Sequence, residues 1–369
     1  MDLKAIYLTT LAHCAPEILV REHVHPGMPR NVVAIGKCAG ALLDGVAAVH
    51  ELESAFVAVP EGYPLPMRFL GVPRSSSGSS EERSDGDRAV EVRVGGHPQM
   101  TSSSFAAGRA LLRYVETHDD ILFLVSGGGS ACVEVPLVDD DEAMRVNAEL
   151  IASGKSIAEI NAVRRSMSAI KGGKLAARVR GRAVTLVYSD VSTGALHDVA
   201  SGPTLPGSEA VLIADNRTLV RAAAQIIGDN AVVVDEQLEG DVQSTAEWLA
   251  ARAKELKKGQ VLVAGGEPTV VVRGDGRGGR CSELAVRFAA ISPCAALFAS
   301  SDGVDGNSGV AGFSVSHRPV AGGPAGWQPA LRAALTRSDS FAMATQVGEP
   351  IMIAATGNNL RDLFLVACD

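Results

Sequence analysis

Ser126-Gly127-Gly128-Gly129-Ser130 follows directly on the aliphatic run Ile121 to Val125. A strand that ends in three glycines and small residues brings bare backbone N–H groups to the start of a helix, where an anion can come close. A tight turn that binds nothing uses the same residues. The loop is neither a G-K-[ST] phosphate loop nor a G-x-G-x-x-G fingerprint. Lys37 follows a second aliphatic run, Val32 to Gly36. At the carboxyl end of a strand in an open sheet, a lysine can meet a phosphate as a point charge. The segment Gly274 to Arg280 sets Arg277 and Arg280 on a glycine framework, and planar guanidinium groups suit bidentate contact with phosphate or carboxylate. Asn161 and Arg164 open a stretch to Lys174 that adds more cations near glycines, some of them expected on a solvated helix face. Two acidic loops complete the set: Asp190 after Tyr188, and Asp302 with Asp305 in S-D-G-V-D-G. A carboxylate at a strand end can hold Mg²⁺ or take a proton from a hydroxyl, although Asp-Gly pairs are also common turn formers. Asp190 and Asp302 are therefore the candidate metal ligands. Asp190 is also the candidate for orienting an acceptor hydroxyl, with Glu267 as another acid. His97 and His197 carry little weight, because loop histidines are usually solvated.

These residues need elements to position them. Continuous aliphatic runs at 32–35, 55–59, 121–125, 184–188, 211–214, 231–234, 261–264, 270–273, 295–299 and 351–354 read as strands, alternating with helical stretches at 105–117, 244–256 and 283–290. That pattern predicts an α/β protein with largely parallel sheets covered on both faces. With 369 residues, two domains are expected, and the proline and glycine cluster at 202–207 marks the boundary, giving 1–206 and 207–369. Residues 74–88 contain no anchoring apolar residue and read as a mobile surface loop. The net charge of -8 argues against nucleic-acid partners, and 46% hydrophobic content excludes general disorder. No run is long enough for a membrane span, and no signal peptide is evident. Six cysteines without C-x-x-C pairing make a zinc site improbable and predict a reduced, cytoplasmic chain.

Taken in order, the motifs resemble the glycerate 2-kinase family, also called the MOFRL family. They are V-A-I-G-K at 33–37, E-G-Y at 61–63, G-H-P at 96–98, S-G-G-G-S-A at 126–131 and I-N-A-V-R-R-S-M-S-A-I-K-G-G-K-L-A at 160–176. A-S-G-P-T follows at 200–204, then G-G-E-P-T-V at 265–270, G-R-G-G-R at 276–280, S-D-G-V-D-G at 301–306 and N-N-L-R-D-L at 358–363. The resemblance implies a Rossmann-like N-terminal domain, a smaller C-terminal MOFRL-type domain and an active site in the cleft between them. It implies transfer of the ATP γ-phosphoryl group, with Mg²⁺, to the 2-hydroxyl of D-glycerate or a related small hydroxy acid. Lys37 and Arg280 match the family's catalytic lysine and arginine, and Ser126 to Ser130 a ligand-binding loop. Glu267, Arg277, Asn161 and Arg164 lie in matching motifs as binding residues. The chain departs from the family at Gln99 to Ser102, at Thr193 to Ala195 and at Cys281-Ser282. A hydroxypyruvate reductase, or a silent ligand-binding relative, is the alternative. A homo-oligomer is compatible with the sequence.

Overall fold

Two compact units divide the chain: Ala15–Asp215, and Met1–Cys14 together with Asn216–Asp369. The structure, a computed structural model, describes residues 1–69, 82–85, 88–154, 157–192, 195–316 and 327–368. Helix α1 (Leu3–His13) opens the chain and belongs to the second unit. The first unit then runs α2 (Pro16–Leu19), β1 (Asn31–Ile35), α3 (Ala39–Ala47), β2 (Ser54–Pro60), β3 (Glu82–Asp85), β4 (Arg88–Gly95) and α4 (Ser102–Thr117). It continues with β5 (Ile121–Ser126), α5 (Gly129–Cys132), α6 (Asp140–Ala152), α7 (Ile157–Ser166), β6 (Ala183–Tyr188) and β7 (Glu209–Ala214).

The first sheet has the order β3-β4-β2-β1-β5-β6-β7, and each neighbouring pair is parallel except β3 with β4. Val33, Phe56, Phe123 and Val125 pack on one face with Ala107, Leu111 and Val115 of α4. Val32, Ala34, Val57 and Leu122 are equally buried on alternate positions, and α3 packs against β1, β2 and β5. Burial on both faces is why these strands read as unbroken aliphatic runs. From β1 the chain moves to β2 and β4, whereas from β5 it moves the other way to β6 and β7. The adjacent strands β1 and β5, with Ile35 beside Val125, are therefore the switch point of the sheet. Their following loops leave in opposite directions and open a crevice between them.

The second unit contains α8 (Asn216–Ile227), β8 (Ala231–Leu238), α9 (Val242–Ala253), β9 (Val261–Gly266), α10 (Arg280–Ile291) and β10 (Ala295–Ser300). After these come β11 (Gly312–Val315), α11 (Trp327–Thr336), α12 (Ser340–Val347), β12 (Gly348–Pro350) and β13 (Asp362–Ala367). Its sheet order is β12-β11-β10-β13-β9-β8. Only β8 with β9 is parallel. The expected largely parallel arrangement thus holds for the first sheet, while the second is mixed. Antiparallel strands buried on both faces carry the same aliphatic signature as parallel ones, so the distinction is not written in their composition. α1 packs on α8, with the buried Tyr7 hydroxyl donating to Ser300 O at 2.7 Å and Asn358 Nδ2 donating to Cys14 O at 3.1 Å.

Several local expectations change. The division at 206/207 differs from the compact units, because β7 pairs with β6 and keeps 209–214 in the first sheet. Residues 82–85 of the expected loop form β3, antiparallel to β4, which begins at Arg88; 74–81 and 86–87 lie outside the described residues. Residues 270–273 and 351–354 are not strands, and Val271 and Val272 are largely exposed. The all-thiol expectation is corrected by a disulfide between Cys294 and Cys368. Pairing of Ala295 with Ala367 across β10 and β13 brings these flanking cysteines face to face, although 74 positions separate them. No described helix is long and apolar enough to cross a membrane.

Candidate active site

Lys37 and the glycine loop meet at the switch point of the first sheet. Lys37 N donates to Gly127 O at 2.8 Å, tying the loop after β1 to the loop after β5. The buried Ser126 side chain reinforces this: Oγ donates to Ile35 O at 3.2 Å and accepts from Cys38 N at 3.1 Å. Gly128 has φ +83°, and a Cβ there would stand 2.9 Å from Lys37 Cγ. Only glycine supplies that backbone while letting the lysine stem lie across the loop. Gly127 and Gly129 are buried beneath it. The Lys37 ammonium sits 5.2 Å from the centre of the Tyr63 ring, and His97 approaches the same ring edge-on at 6.5 Å. The E-G-Y and G-H-P motifs therefore belong to this cluster. Tyr63 had no role in the sequence reading.

Ser130 leads to a further set. Its Oγ lies 2.7 Å from Ser201 Oγ, Ser201 Oγ donates to Asn161 Oδ1 at 2.8 Å, and Asn161 Nδ2 donates to Asp198 Oδ1 at 3.2 Å. Arg165 is ion-paired to the same carboxylate. Asn161 is thus joined to the loop through Ser201. Arg164, three positions on, turns elsewhere: its Nε and Nη2 donate to Asn147 Oδ1 at 3.3 and 2.9 Å, and it lines a pocket with Met100, Pro136, Leu150 and Met167. Burial lowers its pKa, opposed by Glu134. Lys171 is fully buried and paired with Glu134, which also accepts from Ser168 Oγ. Asp190 stands half-buried two positions beyond Tyr188, the residue in register with Ser126.

A second cluster forms within the other unit. β9 and β10 end, and β13 begins, at one edge of the mixed sheet, where Asp362 is in register with both Gly266 and Ser300. Arg280, the first residue of α10, donates to Asp362 through Nε and Nη2 at 2.6 and 2.8 Å. Its Nη1 is 3.3 Å from Glu267 Oε1, and Arg361 Nε is 3.3 Å from the other Glu267 oxygen. Burial by itself would lower the Arg280 pKa, but Asp362 and Glu267 reverse this and hold it well above the usual value. Arg361 adopts φ +63°, so consecutive side chains at 361 and 362 both reach this cluster. Asp362 and Arg361, like Ser201 and Asp198, lay inside or beside quoted motifs without an assigned role.

Other candidates serve the loops around it. Arg277 stacks on Phe341, 3.7 Å from ring centre to guanidinium carbon, and donates to Ser308 O. Asp302 Oδ1 accepts from Ser300 Oγ at 2.8 Å and Val304 N at 2.9 Å, holding its own turn. Asp305 is buried against the start of α10, accepting from the N–H groups of Cys281 and Ser282 at 2.9 Å each and from the Ser282 hydroxyl. At this departure from the family pattern the Ser282 hydroxyl thus has a structural use. Burial raises the Asp305 pKa, while these donors pull it down. Among the described residues, no three His, Cys, Asp or Glu side chains converge as a metal site.

Comparison with known proteins shows what the chain is similar to. Residues 2–228 match a domain of unknown function, DUF4147, and residues 260–362 match the MOFRL family. A glycerate 2-kinase of Sulfurisphaera tokodaii is 30% identical over 95% of this chain and 92% of its own length. A putative hydroxypyruvate reductase of Agrobacterium vitis is 29% identical over 98% of this chain and 92% of its own. The crystal structure of a glycerate kinase from Thermotoga maritima superposes with a TM-score of 0.81 at 26% identity, covering 99% of this chain and 98% of that one.

Proposed function

The chain belongs to the glycerate 2-kinase (MOFRL) family, and on that premise we propose that it transfers the γ-phosphoryl group of ATP to the 2-hydroxyl of D-glycerate or a close hydroxy acid. The observation that carries this reading is Lys37 lying across Gly128 at the switch point of a parallel sheet. Phosphoryl transfer needs positioning and charge neutralisation more than a strong nucleophile. Lys37 supplies a cation for the phosphoryl oxygens; in the other unit Arg280 is a second candidate cation, held rigid by Asp362. Asp190, at the carboxyl end of β6, orients the acceptor hydroxyl and takes its proton. Mg²⁺ asks for one or two protein carboxylates, with phosphate oxygens and water completing the shell. Asp190 would supply such a carboxylate. When bound, the ion neutralises charge on the phosphate oxygens.

The test is ADP release from purified protein with D-glycerate, ATP and Mg²⁺, beside a reaction with hydroxypyruvate and NADH. Kinase turnover that falls by about two orders of magnitude or more in Lys37→Ala is the expected result. NADH oxidation instead would support a reductase, and activity in neither reaction a ligand-binding relative.

A further inference from the structure

Ser201 is buried in an unusual stretch of backbone. Ala200, Ser201 and Gly202 have φ +52°, +60° and +62°, three successive residues in the left-handed region, which non-glycine residues rarely enter singly. Surrounding hydrogen bonds impose this shape: Gly172 N donates to Ser201 O at 3.2 Å, Gly173 N to Gly202 O at 2.8 Å, and Arg165 Nε to Ser201 O at 3.4 Å. Strain sustained in this way is a pointer to function. Its product is the placement of Ser201 Oγ between Ser130 Oγ and Asn161 Oδ1.

The direction of every hydrogen bond in the chain follows from its buried end. Asp198 as a carboxylate only accepts. Asn161 Nδ2 faces both Asp198 Oδ1 at 3.2 Å and Asp198 O at 3.5 Å, so the amide oxygen must face Ser201. An amide oxygen only accepts, which commits the single Ser201 proton to Asn161. Ser201 can then take part in its contact with Ser130 only as acceptor, which commits the Ser130 proton as well. What half-buried Ser130 has left to offer a ligand is a lone pair.

We propose that Ser130, polarised through Ser201, Asn161 and Asp198, accepts a hydrogen bond from the substrate's 2-hydroxyl in the bound ground state, before that proton passes to Asp190 late in the transfer, and so selects a 2-hydroxy acid over its 2-keto counterpart. The proposal rests on the phosphotransferase reading of the same loop and names the group that Ser130 recognises. Ser130 is therefore a reader of a neutral hydroxyl, beside a lysine suited to the anionic part of the ligand. A ketone oxygen at the same place would set lone pair against lone pair, and sites built around one hydrogen-bond polarity reject the wrong partner strongly.

Calorimetric binding of D-glycerate and of hydroxypyruvate, which differ at the second carbon only, tests this on the full chain. The wild type is expected to prefer D-glycerate by about tenfold or more. Ser201→Gly keeps the left-handed backbone and releases the Ser130 proton, so hydroxypyruvate should gain until the two ligands bind within about threefold. Ser130→Ala should reach a similar ratio by losing D-glycerate affinity, Ser130→Thr should restore the preference, and ATP affinity should stay within about twofold throughout. A wild-type preference that persists in both Ser201→Gly and Ser130→Ala overturns the proposal, as does wild-type binding of neither acid. Absence of ADP release from a wild type that still shows the preference would instead remove the kinase reading and leave the hydrogen-bond direction standing.

Discussion

Arg280 shows why residue type matters more than charge within its own cluster. Its fork grips Asp362 through two nitrogens while a third faces Glu267. A lysine keeps the charge and loses the planar, bidentate geometry. Arg280→Lys is accordingly expected to lower kcat for ADP release by about 100-fold; turnover within a few-fold of wild type would exclude the guanidinium from the chemistry. Lys171 makes the opposite case. In the sequence it is one of several cations near glycines, indistinguishable from Lys174 or Arg165, yet the structure buries it with Glu134. Removing one partner leaves an uncompensated buried charge. Lys171→Met should cost about 3–5 kcal/mol in urea unfolding, and adding Glu134→Leu should recover most of that loss. If the double variant is no better than the single one, the ion pair is not the source of the effect.

At the scale of elements, the loop between β5 and α5 was the most legible feature, because a strand ending in consecutive glycines has few other uses. What could not be read was its partner surface. Gly128→Ala is the sharp test: the side chain would strain a φ of +83° and push on the Lys37 stem. We expect about 1–2 kcal/mol of destabilisation and a kcat reduced about tenfold or more through displacement of the lysine. Normal kcat in a folded Gly128→Ala would show that Lys37 does not depend on the loop. The second cluster was less legible. Asp362 lies 82 positions from Arg280, and only the antiparallel insertion of β13 between β9 and β10 brings them to one edge. Strand composition announced neither that order nor the facing of Cys294 and Cys368. Ser201 was hidden for another reason: nothing in A-S-G-P-T indicates that an alanine and a serine will adopt the backbone usually left to glycine.

On the scale of the whole molecule, the parallel first sheet was readable and the ownership of α1 was not. The apolar residues near the start of the sequence do not say on what they pack. α1 buries Leu3, Ile6, Tyr7 and Leu11, and its packing partner α8 lies in the second unit. Deleting residues 1–14 should therefore destabilise Asn216–Asp369 selectively. Limited proteolysis of the truncated protein is expected to cut that unit first, with Ala15–Asp215 persisting longer; uniform resistance, or earlier loss of Ala15–Asp215, would contradict the assignment. The same ownership has a consequence for biosynthesis. α1 leaves the ribosome before Ala15–Asp215, and α8 and β10 are not made until all of Ala15–Asp215 has been translated. At roughly 5–20 residues per second that is a wait on the order of tens of seconds. Throughout it, the apolar side of α1 has no native partner while a complete sheet folds beside it. The order of synthesis thus runs against the order of assembly.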